Sequence, residues 1–159
     1  MTLGDAAFDK IVLLYRSSET STLKMACLRA LVAAPTEALA QRLLEASVNP
    51  SLIRTQDTAM VIRMLASSSH LGARLAWSFL QKRWDDVFGT DEYGVVPTLQ
   101  SVAAYMYTDT DRMELMALLD NQAVDMVGNE WRESLLEGVR RNAYWVSTTR
   151  AAFVDALLE

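Results

Sequence analysis

Apolar residues recur at helical spacing along almost the whole chain, and no segment alternates convincingly like a strand. The clearest case is the segment from Leu71 to Phe88, in which one face is apolar and the opposite face is polar. The apolar stripe consists of Ala73, Ala76, Trp77, Leu80, Trp84 and Val87, and the polar one of Arg74, Ser78, Gln81, Lys82 and Asp85. This pattern predicts an amphipathic helix and favours an all-α fold.

Short polar stretches separate the periodic segments, and each offers a helix cap or a breaker. They are SSETS at 17–21, APT at 34–36, NPS at 49–51, SSS at 67–69 and TDT at 108–110. Connections this short predict antiparallel neighbours. We count about eight helices, and helix pairs stacked in sequence favour a right-handed α-solenoid of the armadillo or HEAT kind over a closed bundle. We expect one helical domain over residues 1–159.

Two later segments carry specific expectations. The stretch FGTDEYGVVPTL at 88–99 combines two glycines, a proline and two acids, so we predict an exposed loop there. Loops of that kind hold function more often than the helices that support them. From Asn129 to Leu158 two further helical patterns follow. The tryptophans along the chain, at helical spacing, are expected to be core anchors. They are Trp77, Trp84, Trp131 and Trp145.

Charge and composition narrow the classes of partner. Fifteen basic against twenty acidic residues give a net charge of −5, which would repel phosphate backbones and anionic lipid. No apolar run approaches the roughly 20 residues needed to span a bilayer, and the acidic start MTLGDAAFDK lacks the pattern of a signal peptide. The single cysteine, Cys27, cannot form an internal disulfide. We therefore expect neither nucleic acid nor a membrane as a partner.

Catalytic chemistry is limited by the presence of a single histidine, His70. A zinc site of the HExxH type needs two histidines on adjacent turns and a carboxylate base, which this chain cannot supply. Neither a GxSxG elbow nor a glycine-rich phosphate loop is present. We expect His70 to lie exposed and inert in the first turn of a helix capped by Ser69. No catalytic residue and no metal ligand is predicted in this chain.

Two polar features remain to be explained. Asn142 falls on the apolar side of its helix, where a buried amide bridging two helices is the favoured interpretation. In RTQD at 54–57, Thr55 can cap a helix whose first turn carries Asp57, a position that the helix dipole favours by roughly 0.3–1 kcal/mol. Capping does not explain Arg54 and Gln56. These two are either ordinary surface residues or contacts to a partner.

The segments IRTQDTAMVI and HLGARLAWSFLQKRWDDVF together resemble the C-terminal helical domain of the zinc aminopeptidases of the aminopeptidase N, puromycin-sensitive and endoplasmic-reticulum class. That family's pattern is a helix start Arg/Lys-x-Gln-Asp/Glu, a turn with Gly, then Leu-Ala-Trp-x-Phe-Leu and a second Trp. It is met here by Arg54, Gln56, Asp57, Gly72, Leu75, Ala76, Trp77, Phe79, Leu80 and Trp84. Tyr93-Gly94 resembles the start of a Tyr-Gly-Gly-Gly loop, and Asn142 with Trp145 resembles the family's closing Asn-x-x-Trp.

The resemblance implies that this chain is the C-terminal part of a longer aminopeptidase, because the family's HExxH helix, third zinc ligand, Gly-x-Met-Glu-Asn motif and catalytic tyrosine have no counterpart here. In such enzymes the C-terminal domain covers the zinc site and encloses the peptide. The resemblance also implies that the parent enzyme holds zinc and that this fragment holds none. It implies two partners, the catalytic domain of the same chain and the peptide substrate. Arg54, Gln56, Asp57, Tyr93 and Gly94 would contact one or the other.

An interpretation from another class stays open. The chain would then be a stand-alone helical-repeat adaptor that binds a protein or peptide on its concave face. Either function would leave an apolar patch rimmed by polar residues on the isolated domain. The resemblance to the puromycin-sensitive branch and the lack of disulfide-forming cysteines favour a cytoplasmic location.

Overall fold

The computed structural model describes residues 3–33, 36–89, 92–123 and 126–158. Within those ranges the chain forms eight α-helices and one 3₁₀ turn, at Thr55–Asp57. The helices are α1 (Leu3–Ser17), α2 (Ser21–Val32), α3 (Glu37–Ser47), α4 (Thr58–Ser68), α5 (His70–Val87), α6 (Glu92–Ala103), α7 (Asp109–Asn121) and α8 (Asn129–Leu158). The all-α class and the number of helices are as predicted from the sequence.

The helices pack in two layers. The even-numbered helices α2, α4, α6 and α8 contact one another in series, and so do α1, α3 and α5. Consecutive helices also pack together, above all α4 with α5 and α1 with α2. This arrangement is consistent with stacked helix pairs, and the right-handed sense of the solenoid stays a prediction.

The direction of α4 and α6 follows from a contact at their last residues. The hydroxyl of Tyr105, just after α6, donates to the carbonyl oxygen of Ser67, in the last turn of α4, at 3.3 Å. Since the final turns of both helices meet and the two helices pack against each other, α4 and α6 run in the same direction. Their first turns therefore lie toward the same end of the molecule, opposite this contact.

Helix α4 divides the core into two hydrophobic clusters. Val61 packs with α1, α2 and α3, whereas Ile62 and Leu65 pack with the larger cluster that extends to α8. All three side chains are at most 2% exposed. Burying such a side chain stabilises the fold by about 1.5–3 kcal/mol, so α4 is the helix on which the two halves of the domain depend.

The predicted loop at 88–99 is wrong for most of its length, because α6 begins at Glu92; Thr90 and Asp91 lie outside the described residues. Val95, Leu99 and Val102 form a fully buried stripe at helical spacing, and this burial outweighs the helix-breaking tendency of Pro97. The Thr98 hydroxyl donates to the carbonyl oxygen of Gly94 at 2.7 Å, inside the same helix.

The prediction of two helical segments over 129–158 is also wrong, because α8 is one helix of 30 residues. At 1.5 Å per residue it is about 45 Å long, against about 20 Å for the 13 residues of α7. Its later part therefore extends beyond α7. Trp131 and Trp145 are 48% and 63% exposed, so the core-anchor prediction holds only for Trp77 and Trp84, which are buried.

Two local predictions are confirmed. The Ser69 side chain accepts a hydrogen bond from the Gly72 backbone N–H at 3.0 Å, and His70 is exposed in the first turn of α5. The Asn142 amide, partly buried, bridges α8 to the end of α6 by donating to three carbonyl oxygens. These belong to Ala103 at 3.1 Å, Ala104 at 3.2 Å and Met106 at 3.0 Å. The Ala103 carbonyl oxygen also accepts the backbone N–H of Met106 at 3.1 Å, so the amide adds a second donor there and supplies a donor to Ala104 and Met106 just beyond the helix end.

Candidate functional site

The RTQD corner, residues Arg54 to Asp57, connects α3 to α4 through the 3₁₀ turn. The predicted Thr55 cap is wrong, since no side-chain cap is formed at the start of the turn or at the start of α4. The corner is held instead by Thr58, whose hydroxyl donates to the buried carbonyl oxygen of Ser47 at 2.6 Å. This bond fixes the first residue of α4 to the last residue of α3.

Asp57 is the buried centre of the corner, with an exposure of 5%. Its Oδ2 accepts hydrogen bonds from Arg54 Nε at 2.9 Å and from the hydroxyl of Tyr15, and it forms an ion pair with Arg54 Nη2 at 2.8 Å. A buried carboxylate is tolerated when it is paired and hydrogen-bonded in this way. Asp57 therefore acts as an internal anchor, which the capping argument did not reveal.

Tyr15 brings α1 into this cluster and is 1% exposed. Its hydroxyl also accepts the backbone N–H of Arg54 at 3.3 Å, and its carbonyl oxygen accepts Lys24 Nζ of α2 at 2.7 Å. Burial raises the pKa of the Tyr15 phenol, and its hydrogen bond to Asp57 raises that pKa further. The position of the corner is thus set by contacts with α1, and through Tyr15 with α2.

Arg54 and Gln56 are the exposed members of the corner. The hydrogen bond to Asp57 raises the pKa of the Arg54 guanidinium, whose side chain is 42% exposed. Asp57 engages Nε and Nη2, so Arg54 Nη1 is left for an outside acceptor. Within the described residues the Gln56 amide has no hydrogen-bond partner. The corner therefore presents one cation of fixed orientation beside one unpaired amide.

Tyr93 and Gly94 lie in the first turn of α6. Tyr93 is 94% exposed and Gly94 is half-buried. Because α4 and α6 run in the same direction, these two residues lie at the same end of the molecule as the RTQD corner. The predicted site residues thus share one edge of the domain.

Neither a cluster of metal-ligating side chains nor a membrane-spanning helix is found within the described ranges. They contain no group of three histidine, cysteine, aspartate or glutamate side chains that could hold a metal ion. None of the described helices is long and apolar enough to cross a bilayer.

Comparison with known proteins identifies the family. A family model described as the ERAP1-like C-terminal domain matches residues 1–141. The chain belongs to that family. The resemblance noted for RTQD and LAWSFL is therefore confirmed, and it extends over most of this ERAP1-like domain.

Curated relatives of the ERAP1-like domain are aminopeptidases by name. It is 29% identical to Aminopeptidase N of Canis lupus familiaris over 134 residues, which is 80% of this chain and 14% of the relative. It is 25% identical to Glutamyl aminopeptidase of Mus musculus over 151 residues, 92% of this chain and 16% of the relative. This chain is 30% identical to Aminopeptidase Ey of Gallus gallus over 115 residues, which is 69% of this chain and 12% of the relative. The domain thus spans about one seventh of the length of these enzymes.

Proposed function

We propose that this ERAP1-like domain closes over the active site of a zinc-dependent aminopeptidase and encloses the peptide substrate without being catalytic itself. The observation that carries the proposal is a C-terminal-domain match over residues 1–141 in a chain that spans only 12–16% of its aminopeptidase relatives. The described residues do not provide a zinc site. In this proposal the catalytic domain of the parent chain would hold the zinc, which would activate water for peptide hydrolysis.

The edge that carries the RTQD corner, Tyr93 and Gly94 is the surface assigned to this contact. Arg54 is suited to it because Asp57 fixes the guanidinium through Nε and Nη2, while Nη1 has no hydrogen-bond partner within the described residues. A planar guanidinium binds carboxylates with directed, charge-assisted hydrogen bonds. Its acceptor would be a carboxylate of the catalytic domain or of the peptide, with Gln56 and Tyr93 adding neutral polar contacts. Closure of this edge would exclude water and select substrates by length.

The first test compares turnover of aminoacyl-coumarin substrates by this chain, with and without zinc, and by the longer gene product that contains it. We expect no turnover by the 159 residues and zinc-dependent turnover by the longer product. Zinc-dependent turnover by the 159 residues alone would overturn the proposal. A coding sequence without an HExxH helix upstream of this domain would favour the adaptor function instead.

The second test places Arg54→Lys in the longer product, since lysine keeps the charge beside Asp57 but lacks the planar fork. We expect kcat/KM for peptides of about nine residues to fall on the order of tenfold, with little change for the short aminoacyl-coumarins. Arg16→Lys, on α1, is the matched control. An equal fall for both substrate classes in a chain that melts like the wild type would place the acceptor on the catalytic domain. Unchanged kcat/KM for both classes would contradict a contact role for Arg54.

A further inference from the structure

A groove lies between α3 and α5 on the odd-numbered layer, which α1, α3 and α5 form. Its volume is about 590 Å³, within the range of about 300–1,000 Å³ that is usual for ligand sites. At one end Arg83 Nη1 of α5 forms an ion pair with Glu45 of α3 at 3.3 Å. Both residues lie near the end of their helix, so α3 and α5 run in the same direction. We refer to this site as the α3/α5 groove.

Side chains also connect the outer helices α3 and α5 to their other neighbours. Arg42 reaches from α3 to Asp9 of α1 at 2.5 Å, and Arg74 reaches from α5 to Asp111 of α7 at 2.5 Å. Between α3 and α5, the ion pair at the end of the groove is the single bridge of this kind within the described residues. The rest of the groove is therefore not closed by polar side chains.

The sequence explains why a gap remains between these two helices. Leu44 and Phe79, which are 2% and 8% exposed, form an apolar floor, and Leu75 is half-buried beside it. On the sides, Ala38 of α3 and Ser78 of α5 are too short to fill the space between the helices. The groove thus presents apolar surface that the apolar side chains of a partner could cover.

The charges around the groove indicate the character of that partner. Arg83 pairs with Glu45 and Arg42 pairs with Asp9, whereas Lys82 is exposed and has no acidic partner within the described residues. Three cations and one acid line the groove, although the whole chain has more acids than bases. Charge complementarity therefore favours a partner with acidic side chains beside its apolar ones.

We propose that the α3/α5 groove binds an amphipathic helix of a partner protein, with apolar side chains in the gap and an acidic side chain at Lys82. The backbone groups in the middle of α3 and α5 are engaged within their own helices, so the groove offers no edge to an extended peptide. A helical segment satisfies its own backbone and needs only side-chain contacts. Side chains at i, i+4 and i+7 of such a helix match the two turns from Ala38 to Glu45, about 10 Å.

The α3/α5 groove is formed by this chain alone, so its occupant does not depend on the role proposed for the RTQD edge. The apolar floor also distinguishes the partner from a nucleic acid, whose phosphate backbone would supply charge without apolar side chains.

The test is a titration of the ¹⁵N-labelled 159-residue chain with four helical peptides of about 15 residues, acetylated and amidated so that neither end is charged. All carry leucine at i, i+4 and i+7. Beside the leucines the first peptide has glutamate, the second glutamine and the third lysine. The fourth is the glutamate peptide with a central proline, which breaks the helix.

We expect the glutamate peptide to shift the backbone amide signals of α3 and α5. Its Kd should be about threefold lower than that of the glutamine peptide, which is the contribution of one exposed ion pair. The lysine peptide should bind more weakly than both, and the proline peptide should not bind.

Variants then connect the affinity to the groove. Lys82→Glu should raise the Kd of the glutamate peptide about tenfold and lower that of the lysine peptide, so that the preference is inverted. Lys10→Glu changes the net charge equally but lies exposed on α1, outside the groove, and its Kd should match the wild type within about twofold. Ser78→Leu fills the gap and should abolish binding of every peptide. Circular dichroism melts verify that each variant is folded.

Several results would overturn the proposal. They are the absence of binding by the glutamate peptide, equal binding of the lysine peptide, undiminished binding of the proline peptide, and unchanged affinity in folded Ser78→Leu. Analytical ultracentrifugation examines a second copy of the chain as the occupant. Self-association of the wild type that Ser78→Leu abolishes would assign the groove to that second copy and likewise overturn the proposal.

Discussion

Gly72 lies in the first turn of α5, where that helix packs on α4. A Cβ atom at this position would lie 2.2 Å from the Leu65 carbonyl oxygen and 2.9 Å from Ser68 Oγ. The serine side chain can rotate, but the carbonyl belongs to the backbone of α4, so the two helices would have to separate. Such overpacking costs about 1–3 kcal/mol, and a contact with backbone belongs at the upper end. Replacing glycine by alanine in a helix returns at most about 1 kcal/mol.

We therefore expect Gly72→Ala to lower the free energy of unfolding by about 2 kcal/mol. In a domain of this size that loss corresponds to a fall in Tm of about 4–8 °C. Urea denaturation followed by circular dichroism measures the first quantity, and a thermal melt measures the second.

The matched control is Gly138→Ala, in the interior of α8, where the nearest atom to a new Cβ is Arg141 Nη2 at 4.0 Å. With no clash, this variant should gain about 0.5–1 kcal/mol from helix propensity alone. A Gly72→Ala chain as stable as the wild type would refute the close-approach argument.

Two further predictions concern buried or partly buried polar groups. Asn142→Ala should cost about 1–2 kcal/mol, because the end of α6 loses its amide donor. Asn142→Asp should cost more at pH 7 but approach Asn142→Ala below about pH 4, where the carboxyl becomes protonated. Urea denaturation at pH 7 and pH 3.5 measures both variants, and equal stability of the two at pH 7 would contradict this prediction. Tyr15→Phe should cost about 1.5–3 kcal/mol, because Asp57 loses a hydroxyl donor. The control Tyr144→Phe, at a ring that is 71% exposed, should stay within about 0.5 kcal/mol of the wild type. The raised pKa of Tyr15 favours the neutral phenol in the folded state. The contribution of Tyr15 to the free energy of unfolding should therefore be present below about pH 10 and lost as the pH rises above that value. If Tyr15→Phe leaves a denaturation series from pH 8 to 11 unchanged, the ionisation of Tyr15 is not linked to folding.

Local patterns made part of the fold predictable. The stripe from Ala73 to Val87 needs only one helix and one buried face, and α5 indeed covers His70–Val87. The Ser69 cap depends on residues three apart, so its signal is local as well.

Errors arose where distant contacts outweighed local signals. Pro97 and two nearby glycines suggested a loop, but burial of Val95 and Leu99 stabilises α6 through that segment. The signal that could have revealed it was the apolar spacing of residues 95, 99 and 102. In α8 neither glycine nor proline occurs after Val139, so the sequence offered no breaker between the two expected helices.

The candidate site shows the same limit more sharply. Asp57 looked like a helix-start residue, yet its partner Tyr15 lies 42 residues earlier in the chain. No local rule connects those two positions.

The amide of Asn142 has a consequence for the order of events during synthesis. It completes the end of α6 by contacting Ala103, which lies 39 residues earlier. At about 5–20 residues per second, a ribosome needs roughly 2–8 s to add those residues. During that interval the carbonyl oxygens at the end of α6 lack the amide donor of Asn142. The apolar stripe of Val95 and Leu99 also lacks the later helices that cover it. The nascent domain would therefore present its second half to chaperones until α8 arrives.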